Sequence, residues 1–480
     1  MLDKKPMSQI RNHGAGIISG MGVRNSVNGA TSGGGNPIDA DGDGARWGMD
    51  VFGIIFYLFI EYTRLAVMYP ILAPLQLGKI ALMCAVLGAL VSHNAGDQSG
   101  NRALKTAIVL LGASTLMSFV SASYHVPMYK QLWNMPEQLL VALLTARATA
   151  SRWRQRAVSF VVLLLMLKVA QHGLRTYALE HGRAVNEMAF VRFGIIGGGG
   201  GFYDNSADLG VAMCVVFGLS LALFQADLSH KWRAFYCVCM IAFGALILVC
   251  GSRGAVVGGV AVVLATWVRS SRKSWSFVFV LLFLLGLIFL MPHASRDRFK
   301  SAEAYKTDTT ANDRIELWKA GVKMWKASPV LGVGPANFPY ERLIHYRIDS
   351  VNDRVPHVCH SMYVEVLSEL GGLGALISLM VILNFFWIVR RVRQALKKAG
   401  RDHRCWEMCL ANGLQLAMLG YLVSGAFVSV FWYPHIWVLS GLAMGLNASV
   451  CGQTDLDVAA GNRRPIAMPV LRGGDRLQHA

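Results

Sequence analysis

The sequence has few charged residues. Only 15% of its 480 residues are Asp, Glu, Lys or Arg, while 54% are hydrophobic. A soluble globular chain carries about 25% charged residues. The apolar residues form repeated blocks of about 20, the length that a helix needs to cross the hydrocarbon core of a bilayer. The shortage of charge therefore excludes an ordinary soluble protein and predicts an all-α polytopic integral membrane protein.

Acidic residues are fewer than basic ones. The chain has 28 Asp and Glu and 46 Lys and Arg, which gives a formal net charge of +18. On a soluble chain this excess would indicate nucleic acid as a partner. Here no basic stripe is interleaved with aromatic residues, so nucleic-acid binding is not predicted. Membrane proteins collect Lys and Arg in cytoplasmic loops, which accounts for the excess.

The two ends of the chain lack long apolar runs. Residues 1–47 are polar and glycine-rich, without the apolar region of a cleavable signal peptide. We expect them to form a disordered cytoplasmic tail, and residues 451–480 to form a second cytoplasmic tail. The nine cysteines suggest no disulfide framework, since most lie in or beside apolar runs.

Twelve apolar segments predict about 12 transmembrane helices. They lie near residues 49–69, 71–92, 103–122, 132–149, 157–177, 206–225, 233–250, 254–269, 275–292, 363–389, 408–428 and 433–450. Helices 1–9 would occupy residues 48–292 and helices 10–12 residues 360–450, with a large loop at 293–359 between them. No internal repeat is visible, unlike the paired halves common in transporters.

The distribution of basic residues predicts the orientation of the chain. With the first residue inside, every dense basic cluster falls in a cytoplasmic loop, as the positive-inside rule requires. These clusters are Arg152, Arg154 and Arg156; Lys231 and Arg233; Arg269, Arg272 and Lys273; and Arg390, Arg391, Arg393, Lys397, Lys398, Arg401 and Arg404. The loop 293–359 then faces the other side, which in a bacterium is the periplasm. We expect function to reside on that side.

The outward loop contains a predicted amphipathic helix, "NDRIELWKAGVKMWKASP". Asp313 is placed to cap it, with Glu316 at the third position of a capping box. Ile315, Trp318, Val322 and Trp325 recur at helical spacing and form an apolar stripe. Such a helix could lie at the membrane interface or pack on the helix bundle, and the pattern leaves both open.

Two arginines are candidates for binding an anion. Arg314 lies at the start of the predicted amphipathic helix, where backbone N–H groups favour negative charge. Arg253 is the only charge between two apolar runs, and a charge near the bilayer is a functional-site hypothesis by default. Arginine offers a planar donor fork suited to phosphate. The alternative for Arg253 is a loop arginine that extends to the interface.

Three further segments are weaker candidates. Arg192 precedes five consecutive glycines, which would either approach a ligand closely or act as a flexible loop. The "GVG" of residues 332–334 would form either a phosphate-binding turn or a plain turn. His357, Cys359 and His360 are poorly spaced for a zinc site.

His360 stands where the outward loop enters the next apolar run, followed by Glu365. Neutral imidazole can accept a proton near neutral pH, so His360 is a candidate general base. Glu365 lies about one and a half helical turns further on. Taken alone, a histidine at this position is more often an interfacial residue without chemistry.

Together these features resemble the bacterial O-antigen ligase and O-antigen polymerase superfamily. The resemblance rests on "SRGA" around Arg253, then "DRIELWKAGVKMWKASPVLGVGPANF", then "HSMYVEVLSELGGLG" from His360 onward. The segment "GFYDNSADLG" is similar to a further pattern of the family, in which a second asparagine is more usual than Asp208.

The resemblance implies a GT-C-like membrane glycosyltransferase of the bacterial inner membrane, with its active site facing the periplasm. It would move a glycan from undecaprenyl diphosphate to lipid A-core, or to another glycan or protein acceptor, without metal or cofactor. His360 would be the catalytic histidine, and Arg253 and Arg314 would hold the donor diphosphate. Arg192, His357 and Glu365 are secondary candidates.

Two alternatives remain open at this point. A polymerase of lipid-linked repeats or an O-linked protein glycosyltransferase would share the fold and differ in its acceptor, which no residue here identifies. A lipid-linked glycan transporter is the alternative of another class. The lack of a repeat and the concentration of candidates at one face argue against it.

Overall fold

A computed structural model describes residues 47–65, 69–91, 101–179, 205–269, 273–290, 309–348 and 356–459. Within these residues every regular element is helical. The helices are α1 (Met49–Thr63), α2 (Leu77–Val91), α3 (Arg102–Met117), α4 (His125–Ala148), α5 (Arg152–Leu179), α6 (Ser206–Leu223), α7 (His230–Val249), α8 (Arg253–Arg269), α9 (Lys273–Leu290), α10 (Thr309–Ala327), α11 (Phe338–Ile344), α12 (Met362–Lys398), α13 (Trp406–Gly425) and α14 (Pro434–Ala459). A short 3-10 turn, Pro70–Leu75, precedes α2.

A helix lies in each of the twelve apolar segments. Among the described residues, six stretches are long and apolar enough to cross a membrane, so the chain is a polytopic membrane protein. They are Ile71–Val91, Arg152–Leu179, Ser206–Leu223, His230–Val249, Met362–Lys398 and Trp406–Gly425. The number of twelve crossings stays a prediction. The predicted tail at 1–47 lies almost wholly outside the described residues, and α14 continues to Ala459, past the expected boundary at 450.

Helix α6 occupies the centre of the bundle, where nearly all its residues are buried. It packs against α7, α8 and α13. Small residues let these helices approach closely: a Cβ added at Gly218 would lie 2.7 Å from the backbone nitrogen of Ala417 on α13. Close packing through small residues is typical of helices within a bilayer, where water provides no hydrophobic force between them.

Contacts between distant segments define two ends of the bundle. At one end Arg154 of α5 pairs with Asp50 of α1 at 3.4 Å, and Arg152 pairs with Glu407 of α13 at 3.6 Å. This basic end is the one predicted to face the cytoplasm. At the opposite end, which we call the site end, Tyr62 of α1 contacts His435 of α14 at 3.1 Å.

Helix α12 is broken at Gly371, whose φ of 65° and ψ of −169° are not helical. The turn at residues 329–334 packs against the break and forms hydrogen bonds with it. Gly372 N–H donates to Pro329 O at 2.8 Å, and Gly334 N–H donates to Glu369 O at 3.0 Å. A Cβ at Gly371 would collide with the carbonyl oxygen of Val330, so glycine is required here. The break therefore anchors the turn at residues 329–334 to a membrane helix.

The predicted start of the amphipathic helix, α10, is wrong. It begins at Thr309, so Asp313 lies inside it and does not cap it, and Glu316 pairs with Lys319 at 2.7 Å. The capping pattern misled because the same residue types also form ion pairs within helices. Leu317 and Met324 are buried, and α10 packs on α12. Of the two alternatives for the amphipathic helix, this arrangement agrees with packing on the helix bundle.

Candidate active site

His360 lies in the short approach to α12 with a φ of 52°. This left-handed conformation is uncommon for residues other than glycine, and it persists only where the surroundings impose it. The neighbours of His360 are fixed: Trp318 of α10 donates its indole N–H to Cys359 O at 3.0 Å. The thiol of the buried Cys359 donates to Ser361 O at 3.1 Å. The two residues that flank His360 thus hold its backbone in place.

Arg314 lies one helical turn before Trp318, on the same face of α10. Burial first, then the charge of Arg314 and the nearby imidazole of His357, lower the pKa of His360 from 6.5 to about 4. The imidazole is therefore neutral at neutral pH and has a lone pair available to accept a proton. The structure thus brings the predicted base, one predicted arginine and His357 together.

Arg314 does not lie at the start of a helix, contrary to the prediction from the sequence. Because α10 begins at Thr309, Arg314 lies in the second turn, beyond the first-turn amides. Arg253, in contrast, is the first residue of α8, and Ser252 Oγ accepts a hydrogen bond from Ala255 N–H at 3.3 Å. The end of α8 at Arg253 therefore has the dipole that favours an anion.

Residues 426–433, which we call the linker, connect α13 to α14 and join the arginine end of α8 to the histidine. A Cβ added to Gly254, next to Arg253, would lie 2.9 Å from Phe427 Cβ. Ser429 Oγ lies 3.4 Å from the sulfur of Cys359, next to His360. Since two residues span at most about 7 Å, the linker brings a neighbour of Arg253 and a neighbour of His360 close to each other.

The two glutamates of α12 bind backbone amides of neighbouring segments. Glu369 accepts hydrogen bonds from Ala336 N–H at 2.8 Å and Phe338 N–H at 3.2 Å. These amides follow the "GVG" turn, and the buried Glu369 carboxylate occupies the position where a bound anion would lie. This arrangement favours the plain turn over the phosphate-binding turn. Glu365 accepts a hydrogen bond from Phe431 N–H in the linker.

The remaining candidates are less closely tied to His360. Arg192 lies outside the described residues. Asp208, at the start of α6, accepts a hydrogen bond from Tyr433 of the linker at 3.1 Å. Among the described residues, no three His, Cys, Asp or Glu side chains are arranged to hold a metal.

Sequence reasoning missed the linker. It consists of "AFVSVFWY", which is apolar and carries no motif, and it reads as the boundary between two membrane helices. Its contribution arises from contacts with residues far away in the chain: Gly254, Cys359 and Glu365. A polar serine between two apolar helices was the available signal, and it is a weak one.

Part of the chain that contains these residues matches a known family. Residues 235–379 match the family model Wzy_C, described as O-Antigen ligase, and this range includes Arg253, Arg314 and His360. A search of curated proteins found no match. The family match confirms the resemblance seen in the sequence. The chain is a helical polytopic membrane protein that carries an O-antigen ligase segment, from a family of glycosyltransferase-type enzymes acting on glycan and lipid substrates.

Proposed function

We propose that the protein is a metal-independent glycosyltransferase of O-antigen ligase type in the bacterial inner membrane. It moves a glycan from undecaprenyl diphosphate to a lipid A-core sugar at the periplasmic face. The observation that carries this proposal is the family match of residues 235–379, which contain Arg253, Arg314 and His360. The buried position of His360 and its lowered pKa agree with the role of a base.

In the proposed reaction the His360 imidazole accepts the proton of the acceptor hydroxyl. The hydroxyl oxygen bonds to the anomeric carbon of the donor, and the bond from that carbon to the diphosphate oxygen breaks. The electron pair leaves with undecaprenyl diphosphate. Arg253 and Arg314 stabilise the charge that develops on the leaving group, as preorganised electrostatics do in such sites.

Secondary residues act on this centre through their contacts. Glu365 is a positioning residue, because it holds the linker that packs beside Arg253 and Cys359. His357 lies close enough to His360 to help lower its pKa. Arg192 remains a candidate contact to the donor.

The test is a transfer assay with purified protein in nanodiscs. Undecaprenyl diphosphate-linked glycan is mixed with lipid A-core, with lipid-linked repeats or with an acceptor protein, and both product and released undecaprenyl diphosphate are measured. Transfer to lipid A-core by the wild type, and its loss in His360→Ala, is the expected result. Transfer to one of the other acceptors alone would replace the ligase with the polymerase or the protein glycosyltransferase. Glycolipid flux across proteoliposomes without transfer would favour the transporter.

A further inference from the structure

A cavity of about 760 Å³ lies between α10 and residues 345–348, apart from the candidate active site. Its size is within the range of ligand pockets, roughly 300–1,000 Å³. Asn312, Lys319 and Lys323 of α10 contribute to its wall. At 3.6 residues per turn, these side chains point to the side of α10 opposite Arg314 and Trp318. The cavity is therefore a separate site on the same helix.

The wall of the cavity is predominantly basic. Lys319, Lys323 and Arg347 supply three positive charges, against one negative charge from Glu316. The pair of Lys319 and Glu316 is exposed, so it is weak and easily rearranged. Within the described part of the chain, Lys323 and Arg347 form no ion pair. An anionic ligand would therefore find two cations that line the cavity from different segments.

The shape and remaining lining of the cavity suit a saccharide better than a lipid headgroup. Tyr346 provides an aromatic ring and packs against the small core around Leu317 and Met324. His345 Nε2 lies 3.3 Å from the hydroxyl of Tyr124, which ties this wall to the start of α4. Lipid headgroups need only a basic surface near the membrane, whereas a saccharide uses a concave site that combines aromatic, hydrogen-bonding and charged groups.

We infer that this cavity binds an acidic saccharide, with Lys323 and Arg347 holding its carboxylate or phosphate groups. The inference rests on the proposed function, because the ligand would be part of the donor or acceptor glycan. A helix is about 10–12 Å across with its side chains. The acidic group would therefore bind at least that far from the donor diphosphate, and the cavity would select among glycans without touching the reacting atoms.

Binding is tested first, without catalysis. Hexagalacturonate (acidic) and maltohexaose (neutral) are titrated by calorimetry into the His360→Ala protein in nanodiscs, alone and combined with Lys323→Glu and Arg347→Glu. We expect hexagalacturonate to bind more tightly than maltohexaose, and the charge reversals together to weaken it by about tenfold or more, since each removes a charge-assisted hydrogen bond. Lys326→Glu is the control: it reverses a charge on α10 one turn from Lys323 but outside the cavity wall, so it should weaken binding less than the paired reversals do.

Several results would overturn the inference. These are equal binding of the two hexasaccharides, equal weakening by Lys326→Glu, or no effect of the paired reversals. The same holds if the reversals weaken binding of soluble dihexanoyl phosphatidylglycerol and leave hexagalacturonate unchanged, because the ligand would then be a lipid headgroup.

Transfer assays then identify the source of the acidic group. The Lys323→Glu, Arg347→Glu protein with intact His360 is assayed with phosphorylated and dephosphorylated lipid A-core, and with acidic and neutral donor glycans. A rise in KM only for the phosphorylated acceptor assigns the cavity to the acceptor, and a rise only for the acidic donor assigns it to the donor. A rise for neither contradicts the inference. If the wild type transfers nothing while the binding results hold, the proposed function fails and the saccharide site stands.

Discussion

Replacing Arg314 by glutamine should move the acidic limb of the pH–rate profile to higher pH. The pKa of His360 is lowered from 6.5 to about 4 by burial, by Arg314 and by His357, in that order. A general base must be unprotonated, so activity persists down to the pKa of the base and falls below it. At pH 5, one unit above about 4, roughly nine tenths of the molecules would hold neutral His360.

Removing the Arg314 charge removes one cause of the low pKa and leaves burial, the largest cause, in place. The pKa of His360 should therefore rise in Arg314→Gln and remain below 6.5. Arg314→Lys is the matched control. It keeps the charge but loses the planar fork, so it should weaken donor binding while leaving the limb close to its wild-type position.

The assay measures kcat/KM for glycan release across the acidic range, with intrinsic fluorescence recorded at each pH to confirm that the protein stays folded. The profile of kcat/KM reports the free enzyme and that of kcat the substrate complex. Because the donor diphosphate is an anion that offsets the Arg314 charge, the limb of kcat should lie at higher pH than the limb of kcat/KM. An acidic limb of kcat/KM near 6.5 in the wild type, or one that does not move in Arg314→Gln, would refute this reasoning.

Three further pairs of substitutions test the structure around the site. Trp318→Phe removes the indole hydrogen bond to Cys359 O, and Trp325→Phe removes the one to Pro329 O. Each should cost about 1 kcal/mol of unfolding free energy. Only Trp318→Phe should also slow transfer, as measured by kcat. Gly371→Ala should lower the melting temperature more than Gly400→Ala, because both have a φ of 65° but a Cβ at Gly400 has nothing within 4 Å; equal effects would show that the α12 break is not sterically required. Glu369→Ala should cost about 1–3 kcal/mol for each of the two backbone N–H groups that it leaves without a partner, with Glu369→Gln milder, as seen in thermal unfolding.

The sequence predicted the helices well because the length and hydropathy of an apolar run are local properties. Each predicted segment contains a helix, even 132–149, which lies inside the longer α4. The break in α12 was not foreseen, since Gly371 and Gly372 lie within an otherwise continuous apolar run. Glycines are tolerated in membrane helices, and only the turn packed against these two shows that the helix is interrupted.

The sequence named His360, Arg253 and Arg314 as candidates, and their roles stay predictions. The contacts that surround them could not be predicted. The linker contacts and the hydrogen bonds of Glu369 to Ala336 and Phe338 join residues more than 30 positions apart. Such pairings follow from how the helices pack, and no local pattern encodes them.

The central claim is that His360 acts as a base and does not merely hold the donor. The most direct test is the single-turnover rate of glycan transfer at saturating donor, compared between His360→Ala and His403→Ala. His403 is an exposed histidine at the basic end, beside Asp402, and its replacement should leave the rate unchanged. The account predicts that His360→Ala binds the donor normally and transfers roughly 10²–10⁴-fold more slowly, the usual contribution of a general base. Transfer by His360→Ala at the rate of the His403→Ala control would contradict it.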